Sequence, residues 1–199
     1  NVAFGAAALT TNTTGTQNTA IGTNSLKMAT TANDNVAVGF GALTANTTGA
    51  ENTAIGGYNT LGANTTGSFN VAVGRLAGAS ATTGDRNIFI GLQAGNSSQT
   101  HTGNDNIVIG GRSSWGNVNA GGYLSTGYDN VMIGTAVGIW SVGMNTGYAN
   151  VFIGPYTTGS TGGGTGQVTI GTNLQNQRGN GTMSFGTHNS WVGLDGGST

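Results

Sequence analysis

The sequence contains no cysteine, one proline and few charged residues. Without cysteine the chain can form no disulfide, no thiolate nucleophile and no cysteine-ligated zinc site. Charged residues make up 6% of the chain, against about 25% in an ordinary globular domain. The formal net charge is -1, which gives no electrostatic attraction to nucleic acid or to an anionic membrane surface. We therefore expect no nucleic-acid partner, and a fold that depends on packing.

Long apolar runs and helical patterns are also missing. No apolar run reaches the roughly 18 residues of a membrane span, and no basic and apolar segments mark a signal peptide, so we expect no membrane insertion. Asn1-Val2 is not a translation start, so we expect a processed or trimmed piece whose anchor lies outside it. Gly, Asn and Thr are poor helix formers, and no window places apolar residues at helical spacing over three turns.

What the sequence does have is a repeat. A pentad of Asn, an apolar residue or Thr, any residue, an apolar residue and Gly recurs along the chain. Its copies span 1–5, 18–22, 35–39, 52–56, 70–74, 87–91, 106–110, 130–134 and 150–154, with degenerate copies at 167–171 and 181–186. Successive pentad glycines are 17, 17, 17, 18, 17, 19, 24, 20, 17 and 15 residues apart. A Thr-Thr-Gly element, or a relaxed form of it, precedes most copies.

A period of about 17 residues suits one coil of a β-solenoid. Each coil would hold a strand at the pentad, a corner at its Gly, a second short extended segment and a turn at Thr-Thr-Gly. We predict an all-β, parallel β-solenoid whose stacked Asn side chains form an amide hydrogen-bond ladder. Coil spacing divides the chain into regular coils at 1–109, irregular coils with longer loops at 110–171, and a C-terminal cap or junction at 172–199.

Alternation along the pentad strand predicts which side chains face inward. The fourth position is always apolar and the second nearly always, so we expect both to point into the solenoid. The third position would then face outward, although it carries no charge, and a strand that is apolar on both faces is buried on both. We expect other copies of the chain to pack on this column. It consists of Ala3, Ala20, Ala37, Ala54, Ala72, Phe89, Val108, Met132 and Phe152. A monomer with a stripe of small residues is the alternative.

The elements Asn-Thr-Ala-Ile-Gly and Asn-Val-Ala-Val-Gly between Thr-Thr-Gly turns resemble the head repeats of YadA-like trimeric autotransporter adhesins and repeats of bacteriophage tail fibres. The resemblance covers about 1–171. It implies a left-handed parallel β-roll that forms a homotrimer, with the pentad strands lining the threefold axis. The coil here is longer than in the adhesin heads, and their neck and coiled-coil stalk are missing from this sequence.

Titratable groups are too sparse to favour catalysis. Asp34 and Glu51 are one coil apart, as are Asp85 and Asp105, so stacking would bring carboxylates together as in glycoside hydrolysis. Their turn positions favour solvated side chains instead, and we expect no enzyme.

Asp-Asn pairs at 34–35, 105–106 and 129–130 offer oxygens for calcium, but the calcium-binding nonapeptide repeat is missing. We expect no metal and no cofactor. Asn-x-Thr/Ser sequons such as Asn46-Thr47-Thr48 are common by chance here.

Aromatic residues crowd where the repeat loosens. Loops on a rigid scaffold often carry function, and aromatic rings suit stacking on sugars or anchoring a protein partner. The predicted ligand-binding residues are Trp115, Tyr123, Tyr128, Trp140, Tyr148 and Tyr156. Packing inside a widened core or between subunits is the alternative. The Thr-Thr-Gly column forms a second regular array, which ordinary turn chemistry explains and ice or mineral binding would also use.

These patterns predict a non-enzymatic, trimeric fibre or adhesin segment on a virion or cell surface. It would present repeated weak contacts to a surface glycan or protein receptor, so that avidity replaces single-site affinity. The alternatives are a purely structural extracellular filament subunit, whose solenoid ends stack head to tail, and an ice- or surface-binding protein.

Overall fold

The computed structural model describes residues 1–96, 100–112, 120–121, 125–137, 146–157 and 165–171, together with the backbone of 183–185. It contains one parallel sheet whose eleven strands follow one another in chain order. The strands are β1 Val2–Phe4, β2 Thr19–Ile21, β3 Val36–Val38, β4 Thr53–Ile55, β5 Val71–Val73, β6 Ile88–Ile90, β7 Ile107–Ile109, β8 Val131–Ile133, β9 Val151–Ile153, β10 Val168–Ile170 and β11 Met183–Phe185. Every strand is three residues long and coincides with a pentad copy.

Strand pairing confirms the predicted solenoid. Equal pentad positions are partners in every neighbouring pair, as in Val36 with Thr53 and Ala37 with Ala54. The chain therefore advances by one strand, about 4.8 Å, for each coil of about 17 residues. β11 extends the sheet into the region 172–199, at the degenerate copy of the pentad. Among the described residues no helix has the length and hydropathy of a membrane span.

Each coil turns at backbone positions with positive φ. The pentad Gly adopts φ of 138° at Gly5 and 129° at Gly39, as its place at the corner predicts. A β-carbon on Gly22 would lie 2.5 Å from the carbonyl oxygen of Gly39 in the next coil, so the stacked corners leave no room for a side chain. Non-glycine residues recur in the left-handed region as well. The residue before the pentad Asn has φ of 55° to 61° at Gln17, Asp34, Glu51, Phe69, Arg86, Asp105, Asp129 and Ala149.

The buried Asn ladder predicted from sequence is confirmed. Asn35 donates its side-chain amide to Asn18 Oδ1 at 3.1 Å and to the carbonyl of Gly49 at 2.9 Å. The backbone N–H of Asn35 donates to the same Asn18 oxygen at 3.0 Å. Side-chain amides link each pentad Asn to the one before it from Asn18 to Asn150, and the Gln167 backbone N–H then bonds to Asn150 Oδ1. From Asn35 to Asn130 the amides tie each strand entrance to the preceding coil and to the Gly of the next Thr-Thr-Gly or Thr-Gly turn.

The assignment of strand faces made from sequence is wrong. The middle residue of each strand, which is the third pentad position, points into the single chain. These middle residues are fully buried or nearly so in eight strands: Ala20, Ala37, Ala54, Ala72, Phe89, Val108, Met132 and Phe152. Ala3 is exposed because β1 is the end strand. They pack in the interior and are not available to sister subunits. The second and fourth positions face outward.

Space inside the coil explains the inversion. A column of leucines on the opposite wall, Leu26, Leu43 and Leu61, is fully buried and fills the narrow interior across from Ala20, Ala37 and Ala54. Only small side chains fit there. Alternation in a strand has period two, so a shift of one residue exchanges the faces while leaving the pattern unchanged. The pentad pattern therefore predicts the period of the strand but does not determine which of its faces is buried.

Candidate functional site

The outward side chains of the strands form one strip, which we call the apolar strip and which consists of the first and third residue of each strand β1–β10. All of these residues are apolar except Thr19 and Thr53. The third residues are the more exposed, at 42% for Ile55 and 37% for Ile90, and the first residues are half-buried except for the exposed Val2 of β1. Ten strand spacings of about 4.8 Å make the whole sheet about 48 Å long. Contiguous exposed apolar surface on this scale marks an interaction site.

One border of the strip carries most of the acidic side chains. We call it the acidic edge, and it consists of the residue before each pentad Asn: Gln17, Asp34, Glu51, Phe69, Arg86, Asp105, Asp129 and Ala149. Arg86 and Asp105 form a bidentate ion pair, with Nε to Oδ1 at 2.6 Å and Nη2 to Oδ2 at 2.8 Å. The hydrogen bond from Arg86 lowers the pKa of the Asp105 carboxyl below its ordinary value. Both side chains are exposed to water, so the pair adds little stability.

The opposite border carries aromatic and cationic side chains. We call it the aromatic edge, and it consists of residues that follow the pentad Gly by one or two positions: Phe40, Tyr58, Arg75, Leu92 and Arg112. The rings of Phe40 and Tyr58 stack with centroids 5.5 Å apart, and the guanidinium of Arg75 lies 5.5 Å from the Tyr58 centroid. All five side chains are exposed. Sequence analysis missed this row, although its place one or two residues after the pentad Gly was a usable signal.

The structure brings together two of the six aromatic residues predicted to bind a ligand. Tyr128 and Tyr148 stack with centroids 4.8 Å apart and ring planes 3° from parallel, and both remain about two-fifths exposed. They lie on the side of the acidic edge. Tyr156 follows β9 on the other side of the strip and is half-buried. Trp115, Tyr123 and Trp140 lie outside the described residues.

The two threonines of each Thr-Thr-Gly turn have different surroundings. The first donates its hydroxyl to a carbonyl of the next coil, as Thr47 does to Thr65 at 3.0 Å and Thr65 to Thr82 at 3.1 Å. These hydroxyl groups therefore stabilise the stacked turns. The second threonine is exposed in each coil, as at Thr48, Thr66 and Thr83. A single file of threonines therefore runs along the rod, on turns and not on a flat sheet.

The described residues offer no assembled set of titratable groups. Among them, no three His, Cys, Asp or Glu side chains come together as a metal site would require. The Asn oxygens next to Asp34, Asp105 and Asp129 accept hydrogen bonds within the ladder, so they are not directed at an ion.

His101 is buried, with its ring centroid 6.2 Å from that of Phe89, and burial lowers its pKa to about 4. The sequon residues Asn46 and Asn64 are buried, and their amides donate to turn carbonyls.

Comparisons of the chain with protein-family models, with curated proteins and with solved structures find no match.

Proposed function

We propose that this chain is a segment of a non-enzymatic trimeric fibre or adhesin, displayed on a virion or cell surface. The apolar strip carries the proposal. A row of exposed and half-buried Val and Ile side chains along the sheet, bordered by polar and charged side chains, has the composition of a surface that other copies of the chain cover. Because the alanine column is buried inside the chain, the expected interface between copies lies on the other strand face. Burial of apolar surface still favours self-association there. The resemblance to trimeric adhesin heads supports three copies.

A stiff trimeric rod suits presentation. Its uniform coils, amide ladder and continuous sheet hold repeated surface features at fixed spacing, so that several weak contacts act together. The stacked Tyr128 and Tyr148 are the described residues best placed to meet a sugar or a protein receptor, because their rings stand exposed on the outside of the coil.

Sedimentation velocity tests the assembly. The wild-type chain is expected to sediment as a trimer at micromolar concentration, and Val73→Asp with Ile90→Asp on the strip is expected to sediment as a monomer because the interface would bury two carboxylates. Thr66→Asp with Thr83→Asp, on the exposed threonine file, is the matched control and should remain trimeric. A wild-type monomer would contradict the proposal, and continuous fibres in electron micrographs would favour the filament subunit.

Receptor presentation has its own test. A glycan array and a cell-binding assay should lose signal when Tyr128 and Tyr148 are both changed to Ala. Tyr128→Phe with Tyr148→Phe, which keeps both stacked rings, is the matched control and should keep the signal. Equal binding by the wild type and the double variant would remove the tyrosine pair from the proposed site.

A further inference from the structure

The two borders of the apolar strip differ in charge. The acidic edge holds four of the six acidic residues of the chain, Asp34, Glu51, Asp105 and Asp129, and one cation, Arg86, which is paired with Asp105. The aromatic edge holds two cations and no acidic residue. Arg75 and Arg112 on that edge have no carboxylate partner in the described part of the chain. Unlike charges thus stand on opposite sides of the strip.

Strand direction fixes how these edges meet in an assembly. All strands are parallel, so every coil presents its acidic edge before the strand and its aromatic edge after it. When copies face one another with their rods parallel, strand direction reverses across the interface, and the aromatic edge of one copy meets the acidic edge of the next. The same holds for three copies around an axis along the rods. Antiparallel rods would instead bring like edges together.

The positions of the side chains along the rod axis agree with parallel rods whose equivalent coils lie at the same height. Arg75 belongs to the same coil as Phe69, and Glu51 lies one coil earlier, about 4.8 Å along the rod. Arg75 would therefore meet the aromatic face of Phe69 at its own level and the carboxylate of Glu51 one coil away. Arg112 belongs to the same coil as Asp105 and lies one coil from Asp129.

We infer that the aromatic edge of one copy binds the acidic edge of the next, with rods parallel and level, and that Arg75 pairs with Phe69 and Glu51 of the neighbouring copy. The inference rests on the proposed self-association through the apolar strip. The strip supplies the buried apolar area, and the edges select which arrangement of copies forms, because antiparallel rods place Arg75 and Arg112 on one shared border and four carboxylates on the other.

Charge exchange at one pair tests the inference. Arg75→Glu and Glu51→Arg should each weaken association about tenfold or more in sedimentation at low salt, because each variant opposes like charges across the interface. The double variant Arg75→Glu/Glu51→Arg should regain affinity to within about threefold of the wild type, as expected when opposite charges meet again. Lys27→Glu reverses an exposed cation in the turn after Leu26, away from both edges, and should leave association unchanged.

Spin labels test rod polarity in the same samples. The chain has no cysteine, so Gln17→Cys gives one label on the acidic edge of the coil that contains β2. Parallel rods place the labels of different copies at one end of the assembly. Antiparallel rods overlapping from β1 to β10 separate them along the rod by seven strand spacings, about 34 Å.

The outcomes separate the two proposals. If the wild-type chain does not associate, the proposed fibre assembly fails and the edge pairing with it. If it associates and the two single reversals match the wild type, or the double variant does not recover, the edge pairing is overturned and the fibre assembly stands. Label separations near the antiparallel value overturn the edge pairing as well.

Discussion

At the scale of single residues, His101 is a titratable group buried inside the coil. It is buried beside Phe89, its backbone N–H donates to Ser80 at 2.8 Å, and burial lowers its pKa from 6.5 to about 4. The folded chain therefore binds fewer protons than the unfolded chain between these two values. Stability from this group is fully present above pH 6.5 and is lost as the pH falls toward 4.

We expect the free energy of unfolding to fall by up to about 3 kcal/mol between pH 7 and pH 4, since each pKa unit corresponds to about 1.4 kcal/mol. Urea unfolding at several pH values measures it. His101→Phe removes the titrating group while keeping a ring beside Phe89, so its stability should change much less over this range. Equal pH dependence in the two proteins would contradict the prediction.

At the scale of elements, a large side chain on one wall of the coil faces a small one on the opposite wall. Where the strand wall carries Ala20, Ala37 and Ala54, the opposite wall carries leucines. Where the strand wall carries the larger Phe89, the leucine column of the opposite wall continues with Gly78 and Gly95. A β-carbon on Gly78 would lie 2.7 Å from Phe89 Cδ2, and one on Gly95 would touch Phe89 Cδ1. The interior therefore keeps its width while the side chains that fill it change sides.

A double-mutant cycle tests this exchange. Phe89→Ala should destabilise the chain by about 3–5 kcal/mol through the cavity it leaves. Gly95→Leu alone should be strongly destabilising, because the new side chain collides with the Phe89 ring. The double variant Phe89→Ala/Gly95→Leu restores the Ala–Leu pairing of earlier coils, where leucine adopts φ of 46° to 51°. It should be more stable than either single variant, and additive losses on denaturant unfolding would disprove the volume exchange.

At the scale of the whole molecule, the rod is a stack of equivalent coils. Stability in such a protein is close to a sum over coils and their interfaces, so a complete coil is removable. Deleting residues 19–35, which are 17 residues, joins Asn18 to Val36 and keeps the amide ladder and the strand faces in phase. Deleting residues 23–30, which are eight residues, leaves Asn18 and Asn35 nine residues apart, whereas the shortest spacing between pentad glycines in the chain is 15.

We expect the 17-residue deletion to fold into a rod about 4.8 Å shorter, by small-angle scattering, with an unchanged circular dichroism spectrum per residue. The eight-residue deletion should be clearly less stable although it removes fewer residues, because nine residues are too few for a strand, a corner and the opposite wall of a coil, and the buried Leu26 is lost from the interior. Equal thermal stability of the two deletions would show that the coil of 17 residues is not the structural unit.

The sequence alone determined the period, the parallel stacking, the corner glycines and the Asn ladder, because each of these repeats at a fixed distance along the chain and needs no knowledge of distant residues. Only the tertiary structure decided that Ala37 and Phe89 face inward while Val38 and Ile90 face outward. Alternation allows either choice, and the room left by Leu43 or Gly95 on the far wall of the coil selects one. The aromatic and acidic edges became visible for the same reason, since their positions follow from the face that the strands turn to solvent.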